Sequence, residues 1–504
     1  LRGLVFTLFG NSLAKNIITR SPLIISMIPS FEPYHGPMPH RGRLISVKEP
    51  GSIDHQRCAA LHNSIVERGW TQRGFELHRL DKRTWWDCYG GDAALASIAV
   101  RLEPSIVSFL QAAWHGFSMS TAEHDHDFHR YLVCLSSPEQ LWQNTNYAED
   151  EDDSNKQRYI TLYMANWALG VSHPLGLVLD QQHGTAMQHM SIHDTDITMN
   201  GRQSWLPLDH ILDGFVEMID QVKIVAVGED YDGEQERTTP WIMPSYTEQD
   251  LEQTVKAFQD LVDVICAAMP TRLEQTGDKL IDLVTAGGPY SLPSNSFAYR
   301  FLFQATNPPF KYIAPGLHVA EQQPFAAVPV SVRPGDLFPL LLFSSARPAY
   351  RETEFRGEDV LVSPFAYEFQ CISDYPAGLY LTETEPQGVH PFEDGCKLVL
   401  PYPLGDNKCA RTSDNAIVGE IVHAQGDLTH RKVKPTSMSL YQLGYNHFIE
   451  SHDVQLKHVL WKWADMVKEG KWEVDAEGVV GGMEKWKEAD TEDVWQDYRL
   501  PLRW

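Results

Sequence analysis

The chain predicts an α+β fold: a mostly helical N-terminal part, an embedded mixed or antiparallel sheet, and a Trp-rich helical C-terminal tail. Three observations lead there. Apolar residues recur at helical spacing in separate segments before residue 300. Short apolar runs, punctuated by Pro, Gly and Asp, fill residues 310–425. Six of the fourteen tryptophans, at 461, 463, 472, 486, 495 and 504, fall in the last 44 residues. The strand-like runs crowd together without regular helix alternation, which argues against a doubly wound α/β sheet. The resulting division is a basic N-terminal segment (1–31), a mainly helical region (32–300), a strand-rich region (301–425) and a helical tail (426–504), in one composite globular unit.

Residues 1–31 carry Arg2, Lys15 and Arg20 and no acid before Glu32. Two readings stay open for them: an acid-poor targeting segment, or an ordinary element that packs onto the body. Residues 32–105 are rich in Pro, Gly, His and Trp, with turn signals at Pro50-Gly51 and Gly90-Gly91; they read as short helices within long connections. The acidic run 149–153 reads as a solvated loop.

Behind Pro207, the residues Leu208, Ile211, Leu212, Phe215, Met218 and Ile219 make one helical stripe. Lys223–Val227 reads as a strand. Thr247 with Asp250 forms a capping-box pattern, followed by a stripe of Leu251, Val255, Phe258, Val262, Ile265 and Met269. Pro270 ends that helix, because it lacks an amide hydrogen and its ring crowds the preceding turn. Thr271 with Glu274 repeats the cap, and the next helix stops at Gly287-Gly288-Pro289. Strands are expected at Leu340–Phe343, Val360–Val362, Gly378–Leu381 and Lys397–Leu400. In the tail, Ile449, Asp453, Leu456, Leu460, Trp463 and Val467 share a stripe, with Asp453 as the expected N-cap. The tail is expected to fold back and clamp the body through its indoles; a partner-binding surface is the alternative.

Lys plus Arg is 42 and Asp plus Glu is 67, a net charge of −25. Such an excess repels phosphate backbones and anionic bilayers, so neither nucleic acid nor membrane is an expected partner. No apolar run approaches the ~18 residues of a membrane span. Seven scattered cysteines without a CxxC read as reduced thiols, which places the protein inside the cell, in the cytoplasm. Nothing in the sequence sets the oligomeric state.

Several machines are excluded by motif. GxGxxG, the phosphate-binding glycine loop and HExxH are absent. Gly116-Phe117-Ser118-Met119-Ser120 lacks the second glycine of a nucleophile elbow.

Histidine is the residue out of scatter: nine of 21 lie between His115 and His210. Imidazole and carboxylate together suit zinc, iron or manganese. The candidate ligands are His124, His126, Asp127, His183, His189 and His193, with His189 and His193 expected one helical turn apart. His129 and Asp194 are the candidate acid–base groups, a carboxylate being able to fix an imidazole tautomer. The run 124–129 approaches the HxHxDH signature of the metallo-β-lactamase-like hydrolases. However, it has Phe128 in the aspartate slot and a polar stretch where the upstream strand belongs, so that family is not assigned. A second candidate region holds Arg347 and Tyr350, which suit a carboxylate or phenolate ligand; pairing of the arginine with Glu352 or Glu354 is the plainer account. The leading expectation is an enzyme acting on a small organic molecule in a pocket lined by aromatic and His residues, with a divalent metal as an option. The rival is a scaffold that docks through its acidic surface and its Trp-rich tail.

Overall fold

The computed structural model describes residues 52–115, 127–143, 157–166, 176–189, 205–231, 240–271, 273, 277–284, 292–324, 339–355, 359–362, 364–365, 374–381, 392–413, 415–419, 436–443 and 453–501. All of them fall in one compact unit, 43–504. The class is α+β, and among the described residues no helix is long and apolar enough to cross a membrane.

The N-terminal half opens with α1 (His55–Gln72), capped by the Asp54 carboxylate, which accepts from the Arg57 amide. One 18-residue helix stands where the sequence suggests short ones. Its buried face runs through Cys58, Leu61, His62, Ile65 and Gly69, so a Cys, a His and a Gly dilute the apolar pattern. Gly69 is needed there, since a Cβ would lie 2.9 Å from the Trp241 ring. Three short helices follow: α2 (Trp85–Cys88), α3 (Gly91–Ala99) and α4 (Pro104–Ala112).

The region read as mainly helical also carries a five-stranded antiparallel sheet, ordered β1 (Leu132–Leu135), β2 (Tyr159–Ala165), β3 (Gly176–Asp180), β4 (Thr185–His189) and β5 (Leu206–Pro207). No period-2 signal announces it, because β3 is buried at every position and β2 at nearly every one. The helix α5 (Leu208–Asp220) buries all six predicted stripe residues. They cluster with Leu177, Leu179 and Ala186 on one face of the sheet. The strand expected at 223–227 shortens to β6 (Val225–Ala226), paired with β7 (Trp241–Ile242).

The C-terminal half begins with α6 (Glu248–Ala268), whose Thr247–Asp250 capping box forms and which stops ahead of Pro270. Glu274 of the second expected cap and the predicted stop at 287–289 lie outside the described residues; the next described helices are α7 (Leu280–Val284) and α8 (Phe297–Gln304). The strands β8 (Tyr312–Ala314), β9 (Leu317–Val319) and β10 (Leu340–Pro348) come next. β11 (Glu352–Phe355) and β12 (Asp359–Val362) make a separate ladder. After them come β13 (Pro376–Leu381), β14 (Gly395–Val399), β15 (Ser439–Leu440) and β16 (Val454–Gln455).

The helix α9 (Leu456–Lys468) precedes β17 (Val474–Asp475), β18 (Gly478–Val479) and α10 (Trp495–Tyr498). The main sheet has nine strands in the order β15-β14-β13-β10-β9-β8-β18-β17, with β16 beside β14. Its β8–β18 pair is parallel and its other pairs are antiparallel, so the sheet is mixed. Leu340, Leu342, Leu379, Leu381 and Leu398 share a core with α6 and α9, while Leu341, Tyr380 and Val399 cover the other face.

Asp453 does not cap α9. The helix starts at Leu456, and Asp453, ahead of β16, pairs with Lys397 at 3.4 Å. The tail does fold back. Trp463, Trp472 and Trp486 are buried together, with ring centroids 5.2–6.1 Å apart. Their indole N–H groups donate to Tyr441 Oη, Tyr498 Oη and the Pro315 carbonyl.

Candidate functional site

The chain enters β1 through a tight turn in which His129 and Leu132 exchange backbone hydrogen bonds. That turn holds the His129 imidazole against Phe215 at 4.2 Å, Tyr131 at 5.7 Å and Trp241 at 5.9 Å, measured between ring centroids. The side chain is fully buried, and among the described residues neither ring nitrogen has a hydrogen-bond partner. Burial, with the nearby Arg130 charge adding to it, lowers its pKa to about 3, so the ring is neutral at physiological pH. Next to it, the Asn166 amide nitrogen donates to the Asp127 carboxylate and to the Arg130 carbonyl. The Trp241 indole donates to the Asp127 carbonyl.

His189 closes β4, opposite Gly176. It too is buried, and its ring nitrogens meet no other described residue; burial lowers its pKa to about 4, against a weaker opposing contact with its own backbone. The ladder places Leu132 beside Ala165, Met164 beside Gly176, and Gly176 beside His189. His129 and His189 therefore sit at the same end of the sheet. They occupy opposite faces. Alternation puts His189 with Met187 and Val178, away from the Leu177–Leu179–Ala186 face, whose apolar cluster contains the Phe215 and Trp241 that hold His129. In place of the expected helical turn, His189 is a strand end; His193 lies outside the described residues.

His183 lies at the other end of the sheet, in the turn between β3 and β4. Its side chain is 57% exposed, and its Nδ1 sits 2.7 Å from Asp180 Oδ2. The Arg158 guanidinium also holds Asp180, at 2.8 Å. Burial raises the Asp180 pKa, but the Arg158 and His183 hydrogen bonds outweigh it, and the net shift is downward. About 15–20 Å of strand separates His183 from His189. His183 therefore does not join His129 or His189, the other described histidine candidates. His124, His126, His193 and Asp194 lie outside the described residues. Among the described residues no group of three or more His, Cys, Asp or Glu is placed to hold a metal ion.

Arg347 and Tyr350 belong to the other core. Arg347 lies within β10 and is held by Glu484 of the tail, while Arg351 is held by Asp374. Both carboxylates are distant in sequence; the side chains of Glu352 and Glu354, the expected partners, lie outside the described residues. The Tyr350 amide donates to the Leu400 carbonyl, a sheet-edge role.

Two polar constellations went unread in the sequence. The first is His62, stacked on Phe128 at 4.6 Å. Its Nε2 faces the Trp114 carbonyl, so it must donate, which leaves Nδ1 to accept from Tyr163 Oη at 2.8 Å. Burial lowers its pKa to about 4. Nothing in its apolar-stripe position singles it out.

The second joins the two cores. Lys223 Nζ, 1% exposed, contacts Asp250 at 3.1 Å and Asp394 at 3.3 Å. Lys457 reaches Asp250 at 2.7 Å, and the Gln455 amide nitrogen donates to Asp394. Burial works against the charge on Lys223, but Asp394 and Asp250 prevail and raise its pKa. Lys223 therefore stays protonated and is no amine nucleophile at neutral pH. A lysine inside the apolar segment Val222–Ile224 is the signal the sequence offered.

No family model matches the chain, and no curated protein or solved structure matches it significantly.

Proposed function

We propose that the protein is an enzyme acting on a small organic molecule, and that His129 is its neutral acid–base group. One observation carries the reading: a fully buried imidazole, ringed by Tyr131, Phe215 and Trp241, in which neither nitrogen is hydrogen-bonded to a described residue. An unsatisfied buried polar group costs about 1–3 kcal/mol, and such groups persist where a ligand supplies the missing partner. The ring set suits a flat or apolar body carrying a hydroxyl or amine. A pKa lowered to about 3 by burial keeps the ring neutral, with one N–H that can donate a hydrogen bond to a ligand and one lone pair that can accept one. His189, at the same sheet end, is a second neutral imidazole that a larger substrate or a divalent metal would engage from the opposite face. Six free thiols among the described residues suit a reducing cytoplasmic setting, and the acidic balance leaves a small molecule, rather than nucleic acid, as the ligand.

Phenol tests this, since it combines a flat ring with one hydroxyl. Millimolar phenol is expected to raise the melting temperature of the wild-type protein and to leave that of His129→Leu unchanged. An equal response in both, or none in the wild type, contradicts the reading.

A further inference from the structure

The loop between β14 and β15 is folded around a carboxylate. Asp490, at the end of the 3-10 helix Met483–Asp490 of the tail, is 4% exposed. Its Oδ2 accepts from the amides of Gly405 at 3.0 Å and Asn407 at 2.9 Å. Its Oδ1 accepts from the amides of Cys409 at 2.8 Å and Ala410 at 2.9 Å. The Asn407 side chain donates to the Asp490 carbonyl at 2.9 Å. Four backbone donors on two oxygens saturate one carboxylate.

The loop backbone is shaped for that arrangement. Gly405 has φ +103° and Lys408 φ +57°, both left-handed, and a Cβ at Gly405 would lie 2.2 Å from the Val418 carbonyl. A non-glycine residue held in that region is strained unless its surroundings enforce it. Successive amides turned inward form an anion-binding concavity, and here the anion is supplied by the chain itself. The same tail segment places Glu484 on Arg347 and its Met483 carbonyl under the Tyr402 hydroxyl. Trp486 between them is sunk in the core.

We infer that residues 405–410 form a carboxylate-binding site, occupied in cis by Asp490, which latches the C-terminal tail to the main sheet. The site accepts a planar two-oxygen anion of formate or acetate size, and its occupancy holds the tail in place. The inference is independent of the role given to His129.

Chemical rescue in the full chain tests it. Asp490→Gly removes the anion and opens its place, so the melting temperature should fall well below that of the wild type. Sodium formate should restore most of the loss, with sodium chloride at equal ionic strength restoring little. Asp490→Asn fills the place with an amide whose NH2 opposes two of the amide donors, and formate should not rescue it. Equal effects of formate on wild type, Asp490→Gly and Asp490→Asn, or no rescue of Asp490→Gly, overturn the site. Should Asp490→Gly fail to fold, hydrogen exchange of the wild type decides. The amides of 405, 407, 409 and 410 should be protected like those of β14, and exchange at exposed-loop rates overturns the latch.

Discussion

The junction between the two cores and the imidazoles at one end of the first sheet treat their buried polar groups in opposite ways. In the C-terminal half and at its junction with the other core, charges are matched. Lys223 and Lys457 meet Asp250 and Asp394, and Asp490 is saturated by backbone amides. Even the indoles of Trp463, Trp472 and Trp486 find acceptors. At one end of the first sheet, His129 and His189 are buried with no partner from another described residue. A matched buried network rigidifies a frame. An unmatched imidazole destabilises one, and its persistence points to work done elsewhere than in folding. Under the function proposed above, the matched junction serves as frame and His129 as the group left for a ligand.

The largest expected effect breaks the frame. Lys223→Ala leaves Asp394 and Asp250 buried with less countercharge, and should destabilise by about 3–5 kcal/mol. Replacing the pair with apolar side chains, Lys223→Met with Asp394→Leu, should recover most of that in urea unfolding. Failure of the double variant to recover would show that the network does more than balance charge.

Acid sharpens the comparison next. His62, His129 and His189 have pKa values lowered to about 4, 3 and 4 by burial, against about 6.5 in an unfolded chain. The unfolded state therefore binds protons first, and stability, intact above pH 6.5, should fall as the pH drops toward 3–4. Thermal unfolding across that window should show the loss, and it should be shallower in His129→Leu. A pH-independent melting temperature between 6.5 and 4.5 would contradict the buried, neutral state of these rings.

Arg347→Ala gives the smallest effect. Its partner Glu484 and the guanidinium are both about half exposed, and such pairs contribute little. The melting temperature should stay near that of the wild type. A collapse would mean that Arg347 holds more than the tail's surface.

The helices of the frame were legible because their stripes are apolar and their ends carry chemistry. Leu208–Asp220 buries every expected position, and Thr247, Asp250 and Pro270 set both ends of the long helix. The first sheet was not legible, since strands buried on both faces show no alternation. Asp453 read as a cap because it falls on the α9 stripe, but Val454 and Gln455 pair with β14 first. The histidine groups were visible as residue types. Their arrangement was not, because a strand register decides which face and which end each ring occupies. That register sends His183 to the far end and His189 to the far face. The junction network needed the fold as well: Lys223, Asp250, Asp394 and Lys457 come from four separate segments.

The most direct test is urea unfolding of His129→Leu at pH 7.5. Removing an unsatisfied buried ring in favour of an apolar side chain should raise the midpoint, a gain of about 1–2 kcal/mol, with the slope unchanged. A lowered midpoint would mean that His129 is already satisfied in the folded chain, and His129 would lose its claim to the chemistry.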